Sequence, residues 1–234
     1  MQIQEKENPM DETQKRKEET QKRIIEAKNE NEKLKAEILM LKSILEFQTI
    51  PIDPKAIIID HNNDKQQGDK IIHLDQLEPS TVSFDPVVND GIVHFEGIFY
   101  GCERFGIGVA DESVEFAPGW FSADVKSRTI EYQRNQFWHR GFYVQQDVNF
   151  SAGQRIAFEV NLSKTSRTLR LFVNEQELKH YAVNIPQAIR FFIVHYSKKS
   201  QFQITRFEQI LVPQLEPIGD HIALKWGTKW SDNN

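Results

Sequence analysis

Apolar positions along the chain follow two rhythms. Between Lys22 and Gln48 they recur every three or four residues, and beyond Pro79 they alternate with polar residues over short runs. In the first region Ile24, Asn31, Ile38 and Leu45 fall at position a of a heptad, and Ala27, Leu34 and Leu41 fall at position d. The spacing holds without a slip, which is the seam of a left-handed coiled coil. Ile at a with Leu at d favours two parallel strands, and facing Asn31 side chains set register at some cost in stability. Glu30 and Glu37 occupy g, while Lys28, Lys35 and Lys42 occupy e. In a parallel pair Glu30 meets Lys35 of the second chain and Glu37 meets Lys42. Such exposed pairs choose orientation more than they stabilise. The pattern predicts a helix over 22–48 and a parallel homodimer held by Ile24, Asn31, Leu34, Ile38, Leu41 and Leu45. The alternative is an amphipathic helix packed on its own domain, with Ile44 and Phe47 widening its apolar stripe.

The flanks of this helix differ. Residues 1–21 are dense in Lys, Glu and Gln and are expected to be partly disordered. Pro51 and Pro54 end the helix and open a join over 49–80. Ala56–Asp60 and Ile71–Leu74 read as short strands there, and 61–70, rich in Asn, Gln and Gly, reads as an exposed loop.

From Thr81 onwards period-two runs come at regular intervals with turn residues between them. Predicted strands are Thr81–Phe84, Ile92–Phe95, Phe105–Ala110, Trp120–Ala123, Thr129–Gln133 and Phe142–Val144. They continue with Arg155–Asn161, Thr168–Asn174, His180–Val183, Arg190–Tyr196 and Phe202–Phe207. Many short antiparallel strands predict a mainly β, two-sheet sandwich over 81–211. The stretch Arg104–Trp120 stands out. Phe105, Ile107 and Val109 alternate with Gly106 and Gly108, so one face is apolar and the other bare. Two glycines in one strand predict that something packs close to its backbone.

The order of these motifs resembles the SPRY family. The similar elements are Gly106-Ile107-Gly108-Val109, Ser127–Tyr132, Gly153-Gln154-Arg155-Ile156, Leu171-Phe172-Val173-Asn174 and Ile185-Pro186 followed by Ile189–Tyr196. Gln154 stands where the family favours Asp, and Glu175 where it favours Gly; both weaken turn chemistry. The resemblance covers roughly Thr81–Leu211. It implies a SPRY-like (concanavalin-like) sandwich that binds a protein or peptide partner through loops at one edge. On that footing the partner-binding residues are Asp111, Glu112 and Glu115 in one loop, and Trp138, His139 and Arg140 in another. A coiled coil ahead of such a domain also resembles the end of tripartite-motif ubiquitin ligases. With Cys102 as the single cysteine, the chain cannot supply the ligands of a RING zinc site.

Composition narrows the rest. A net charge of −5 argues against non-specific nucleic-acid binding. One cysteine, no apolar run of membrane-spanning length and a polar N-terminus predict a cytoplasmic protein without disulfides. Cys102 lacks a paired base and reads as an inert thiol. The seven histidines show no ligand spacing, so no metal or other cofactor is expected. Gly106-x-Gly108 lacks the lysine and helix of a phosphate cradle. The acidic turn at Asp111–Glu115 lacks the spacing of a calcium loop. No titratable pair suggests catalysis, so the chain reads as a non-enzymatic adaptor or scaffold. The alternative is an intracellular carbohydrate-binding sandwich using tryptophans on a sheet face. Residues 212–234 read as a tail whose Trp226 and Trp230 cover a patch on the same chain, the alternative being a tail that binds a partner.

Overall fold

The computed structural model describes residues 9–46, 49–75, 78–101, 103–119, 121, 123–163, 165, 167–211, 213 and 220–231. Cys102 and Trp120 lie outside them, as do the side chains of Ile44, Leu45 and Phe47. The chain divides into two compact units, 1–48 and 49–234.

The described residues of the first unit form a single helix, α1 (Pro9–Glu46). Pro9 suits a first helical turn, where its missing N–H has no partner to serve. The charged stretch expected to be partly disordered is helical from Pro9 onward, because Lys, Glu, Gln and Arg are all good helix formers.

Among the described residues the second unit comprises seventeen strands and a one-turn helix. They run β1 (Ile50–Pro51), β2 (Lys55–Ile58), β3 (Asp64–Gln67), β4 (Lys70–His73), β5 (Ser80–Asp85), β6 (Ile92–Tyr100) and β7 (Phe105–Asp111). After α2 (Ala123–Ser127) come β8 (Thr129–Gln133), β9 (Gln136–His139), β10 (Phe142–Gln145), β11 (Arg155–Asn161) and β12 (Thr168–Val173). The last are β13 (Gln176–Glu177), β14 (His180–Val183), β15 (Ile189–His195), β16 (Gln201–Ile210) and β17 (Ile222–Lys225). One sheet has ten strands, in the order β17-β14-β12-β11-β6-β16-β4-β3, with β13 beside β12 and β1 beside β16. The other has seven, in the order β10-β9-β8-β7-β15-β5-β2. Every pairing is antiparallel except β14 with β17. Residues 49–75 thus add strands to both sheets, and the C-terminal residues 222–225 form an edge of one.

Phenylalanines from facing strands fill the space between the sheets. Phe95 and Phe99 of β6 and Phe202 and Phe207 of β16 point in from the ten-stranded sheet; Phe84, Phe105 and Phe191 point in from the other. Phe95 stacks on Phe191 at 4.7 Å between ring centroids, and Phe99 on Phe105 at 4.4 Å. These contacts lock the two layers in one relative position.

Three local predictions need correction. The strand expected at Trp120–Ala123 gives way to α2 from Ala123 onward. The expected loop at 61–70 contains β3, which pairs with β4. The loop expected to carry Trp138, His139 and Arg140 has the first two in strand β9. In the last two cases pairing with a neighbour overrides a weak local signal.

Candidate functional site

The outer face of the seven-stranded sheet carries the site. Phe105, Ile107 and Val109 of β7 face the core, so Gly106 and Gly108 face outward. A methyl group on Gly106 would lie 2.2 Å from Glu131 Oε1, and one on Gly108 would lie 2.2 Å from the Ile130 carbonyl oxygen and 2.5 Å from the Phe192 ring. The bare strand therefore leaves room for Glu131 of β8 and Phe192 of β15.

The chain after β7 folds back over this face. Val114 and Val125 pack with Ala110, Phe192 and Val194, joined by Phe116 and Phe121. The centroids of Phe116 and Phe121 lie 5.1 and 5.6 Å from that of Phe192. Polar contacts hold the segment down. Asp111 Oδ1 accepts from the Ser113 N–H at 3.0 Å. Arg190 donates to the Glu112 carbonyl at 2.7 Å and to Asp85 at 2.9 Å. Arg128 bonds the Ser113 carbonyl at 3.0 Å and pairs with Asp124. Of the three acidic candidates, Glu112 and Glu115 are exposed and Asp111 braces the turn.

Beside this strap lies a cleft of about 300 Å³. Glu131 and Gln133 of β8 and Gln136 and Trp138 of β9 line it, because alternate residues of paired strands share a face. Tyr196 and Arg104 form one wall, and Phe121 and Lys126 bound it on the side of the strap. Arg134 and Arg140 stand exposed at the rim. Trp138 and Arg140 thus meet in one place, with the tilted Tyr143 ring 4.6 Å from that of Trp138.

Glu131 is 7 % exposed and accepts from the Tyr196 hydroxyl at 3.0 Å. Burial lifts its carboxyl to about 7, against the Tyr196 bond and the positive charges of Arg104 and Lys126. Burial likewise raises the Tyr196 phenol, reinforced by the Glu131 charge. The Arg104 guanidinium lies 4.2 Å from the Tyr196 ring centre, a cation–π contact. Two buried polar atoms of the lining, Trp138 Nε1 and Gln133 Oε1, have no hydrogen-bond partner among the described residues.

His139 does not join Trp138 and Arg140 at the surface. One residue on from Trp138, its ring turns to the core face of β9 and is 1 % exposed. Its Nδ1–H donates to the Thr129 carbonyl at 2.8 Å, and its Nε2 accepts from the Gly227 N–H at 2.8 Å. Burial lowers it to about 4, partly countered by the Thr129 bond, with the Arg140 charge lowering it further. Trp226 and Trp230 lie 4.6 and 5.0 Å from its ring. Both tryptophans cover this patch of their own chain, as expected of the tail.

A second cluster contains the residue types of a hydrolytic triad. Asp64 Oδ1 and Ser80 Oγ approach the same nitrogen of His73, Nδ1, at 3.0 and 3.1 Å. A triad needs the acid and the nucleophile on opposite ring nitrogens. All three residues are buried, and His195, bonded to Ser200 at 2.8 Å, stacks on His73. The cluster ties β3, β4, β5 and β15 together. No group of three or more His, Cys, Asp or Glu side chains among the described residues is placed to hold a metal. No helix among them is long and apolar enough to cross a membrane.

The two sheets, antiparallel except where β14 meets β17, form a β-sandwich of SPRY-like fold. The PSpry domain of TRIM65 shares this fold at a TM-score of 0.53 and 12 % identity, covering 71 % of this chain and 95 % of that one. The SPRY domain of human HERC1 aligns at a TM-score of 0.46 and 16 % identity, over 63 % of this chain and 96 % of that one. No protein-family model matches the sequence, and neither does any curated protein.

Proposed function

We propose that the chain is a non-enzymatic protein-interaction adaptor, dimerised by α1, whose sandwich binds a protein or peptide partner in the cleft at Trp138. The observation that carries this reading is the cleft itself. A concave site walled by Trp138, Tyr196, Phe121 and Arg104 has the residue types that dominate binding energy at interfaces. Glu112 and Glu115 belong to the segment whose Val114 and Phe116 pack over the outer face, and both are exposed to a partner. The SPRY-like fold agrees with the reading. So does the buried His73 cluster, whose geometry does not suit catalysis.

The carbohydrate-binding alternative draws less support. Of the described tryptophans, Trp230 is buried and Trp226 packs on His139, which leaves Trp138 alone to stack on a sugar.

Dimerisation rests on the exposed seam. In the single chain Ile24, Leu34, Ile38 and Leu41 are 45, 52, 54 and 54 % exposed, and a second copy would cover them. Two linked sandwiches would hold a repeated target through effective concentration.

Pull-down from cell extract, comparing the wild type with Trp138→Ala/Arg140→Ala, tests the site. Truncating a central tryptophan at an interface costs about 2 kcal/mol or more, so the variant should recover at least roughly tenfold less partner. Equal recovery by both would rule out this cleft.

A further inference from the structure

We propose that the cleft recognises an acidic peptide segment, seating an Asp or Glu side chain among Arg104, Arg134 and Arg140 with its backbone held by Trp138 and Gln133. This rests on the interaction reading above and names the chemistry of the partner.

Charge is the first argument. The whole chain is acidic, at −5, yet four cations gather at this one cleft: Arg104, Lys126, Arg134 and Arg140. Glu131 is the one carboxylate among the described residues of the lining. Lys126, Arg134 and Arg140 are exposed, and none of them forms an ion pair among the described residues. A partner carboxylate therefore meets cations that need not first be released from another partner.

Hydrogen bonding is the second argument. Trp138 Nε1–H is a buried donor, and Gln133 Oε1 a buried acceptor, and neither has a partner among the described residues. Leaving such groups unpaired is costly, so a ligand whose seating displaces the groups covering them and satisfies both gains from it. A peptide backbone offers a carbonyl to the first and an N–H to the second, whereas a simple anion offers only acceptors. The volume, about 300 Å³, suits one or two side chains rather than a folded element.

Glu131 adds a pH dependence to the same geometry. It is faced by Tyr196 just after β15, Arg104 ahead of β7 and Lys126 from α2, with Arg134 and Arg140 at the rim. Ionised, it repels an incoming carboxylate; protonated, it can donate a hydrogen bond to one. Its carboxyl titrates at about 7, so binding tightens as pH falls from 8 to 6.

The test is selection from a phage-displayed random peptide library on the full chain. Enriched peptides should carry Asp or Glu beside an apolar residue. Synthetic copies should bind roughly threefold to tenfold tighter at pH 6 than at pH 8, and Glu131→Gln should flatten that profile. Arg134→Asn/Arg140→Asn should abolish binding. Both positions have positive φ, 49° and 55°, which Asn tolerates, so this variant keeps the fold even should Trp138→Ala fail to. Neutral or basic peptides whose binding is lost in Trp138→Ala would overturn the acidic specificity and leave the interaction reading standing. No enrichment, or peptides indifferent to both variants, would overturn both.

Discussion

Gly108 is where a single hydrogen atom decides whether the site exists. A methyl group there would press on the backbone carbonyl of Ile130, which cannot swing away. Gly108→Ala should therefore cost roughly 2 kcal/mol or more, read from the urea midpoint. Gly106→Ala should cost less, because the atom in its way is the movable end of Glu131. Glu131 and His139 set opposite pH dependences on stability. The folded value of Glu131, about 7, lies above its ordinary 4.5. Its contribution is complete below pH 4.5 and is lost as pH rises through 7. The folded value of His139, about 4, lies below its ordinary 6.5, as does that of buried His195. Their contributions are complete above pH 6.5 and are lost as pH falls through 4. Glu131→Gln should thus gain stability relative to wild type at pH 8 over pH 5, by on the order of 2 kcal/mol. Urea unfolding at a series of pH values measures it, and an equal gain at both would show that Glu131 titrates normally.

At the scale of elements, the strands around the site differ in how visible they were. β8, β11 and β14 lie where their alternation put them. β9 was hidden, and its turns explain why. Gln133 pairs with Gln136 across Arg134 and Asn135, both at positive φ, and His139 pairs with Phe142 across Arg140 and Gly141, also both positive. These are the two-residue hairpin turns that Asn-Gly usually announces, here made with arginine in the first position. Asn174-Glu175 does the same between β12 and β13, with Glu175 at φ 70° where Gly would cost less. The α1 seam carries the prediction for this scale. Sedimentation of the full chain should give a dimer at tens of micromolar. Ile38→Asp/Leu41→Asp should give a monomer, since a charge at a and at d cannot be buried between helices. A monomeric wild type would remove the homodimer.

For the whole molecule, the division at residue 48 implies that the sandwich carries its own core. Residues 49–234 alone should fold with a melting midpoint within a few degrees of the full chain. They should bind a single immobilised peptide as well as the full chain but a clustered array of it less tightly, which surface plasmon resonance at two ligand densities would resolve. The mainly β class and the N-terminal helix were both legible in residue order. Each rests on a local period, and a period of two or of three and four is written into consecutive side chains. The cleft was legible only in part. Trp138 and Arg140 were named, but Glu131, Gln133, Tyr196 and Arg104 were not, and His139 was placed on the wrong face. Those residues come from separate strands, and what brings them together is sheet register, a choice among pairings distant in sequence. The glycines of β7 announced that something approaches closely; only the folded sheet specified that it is Glu131 and Phe192.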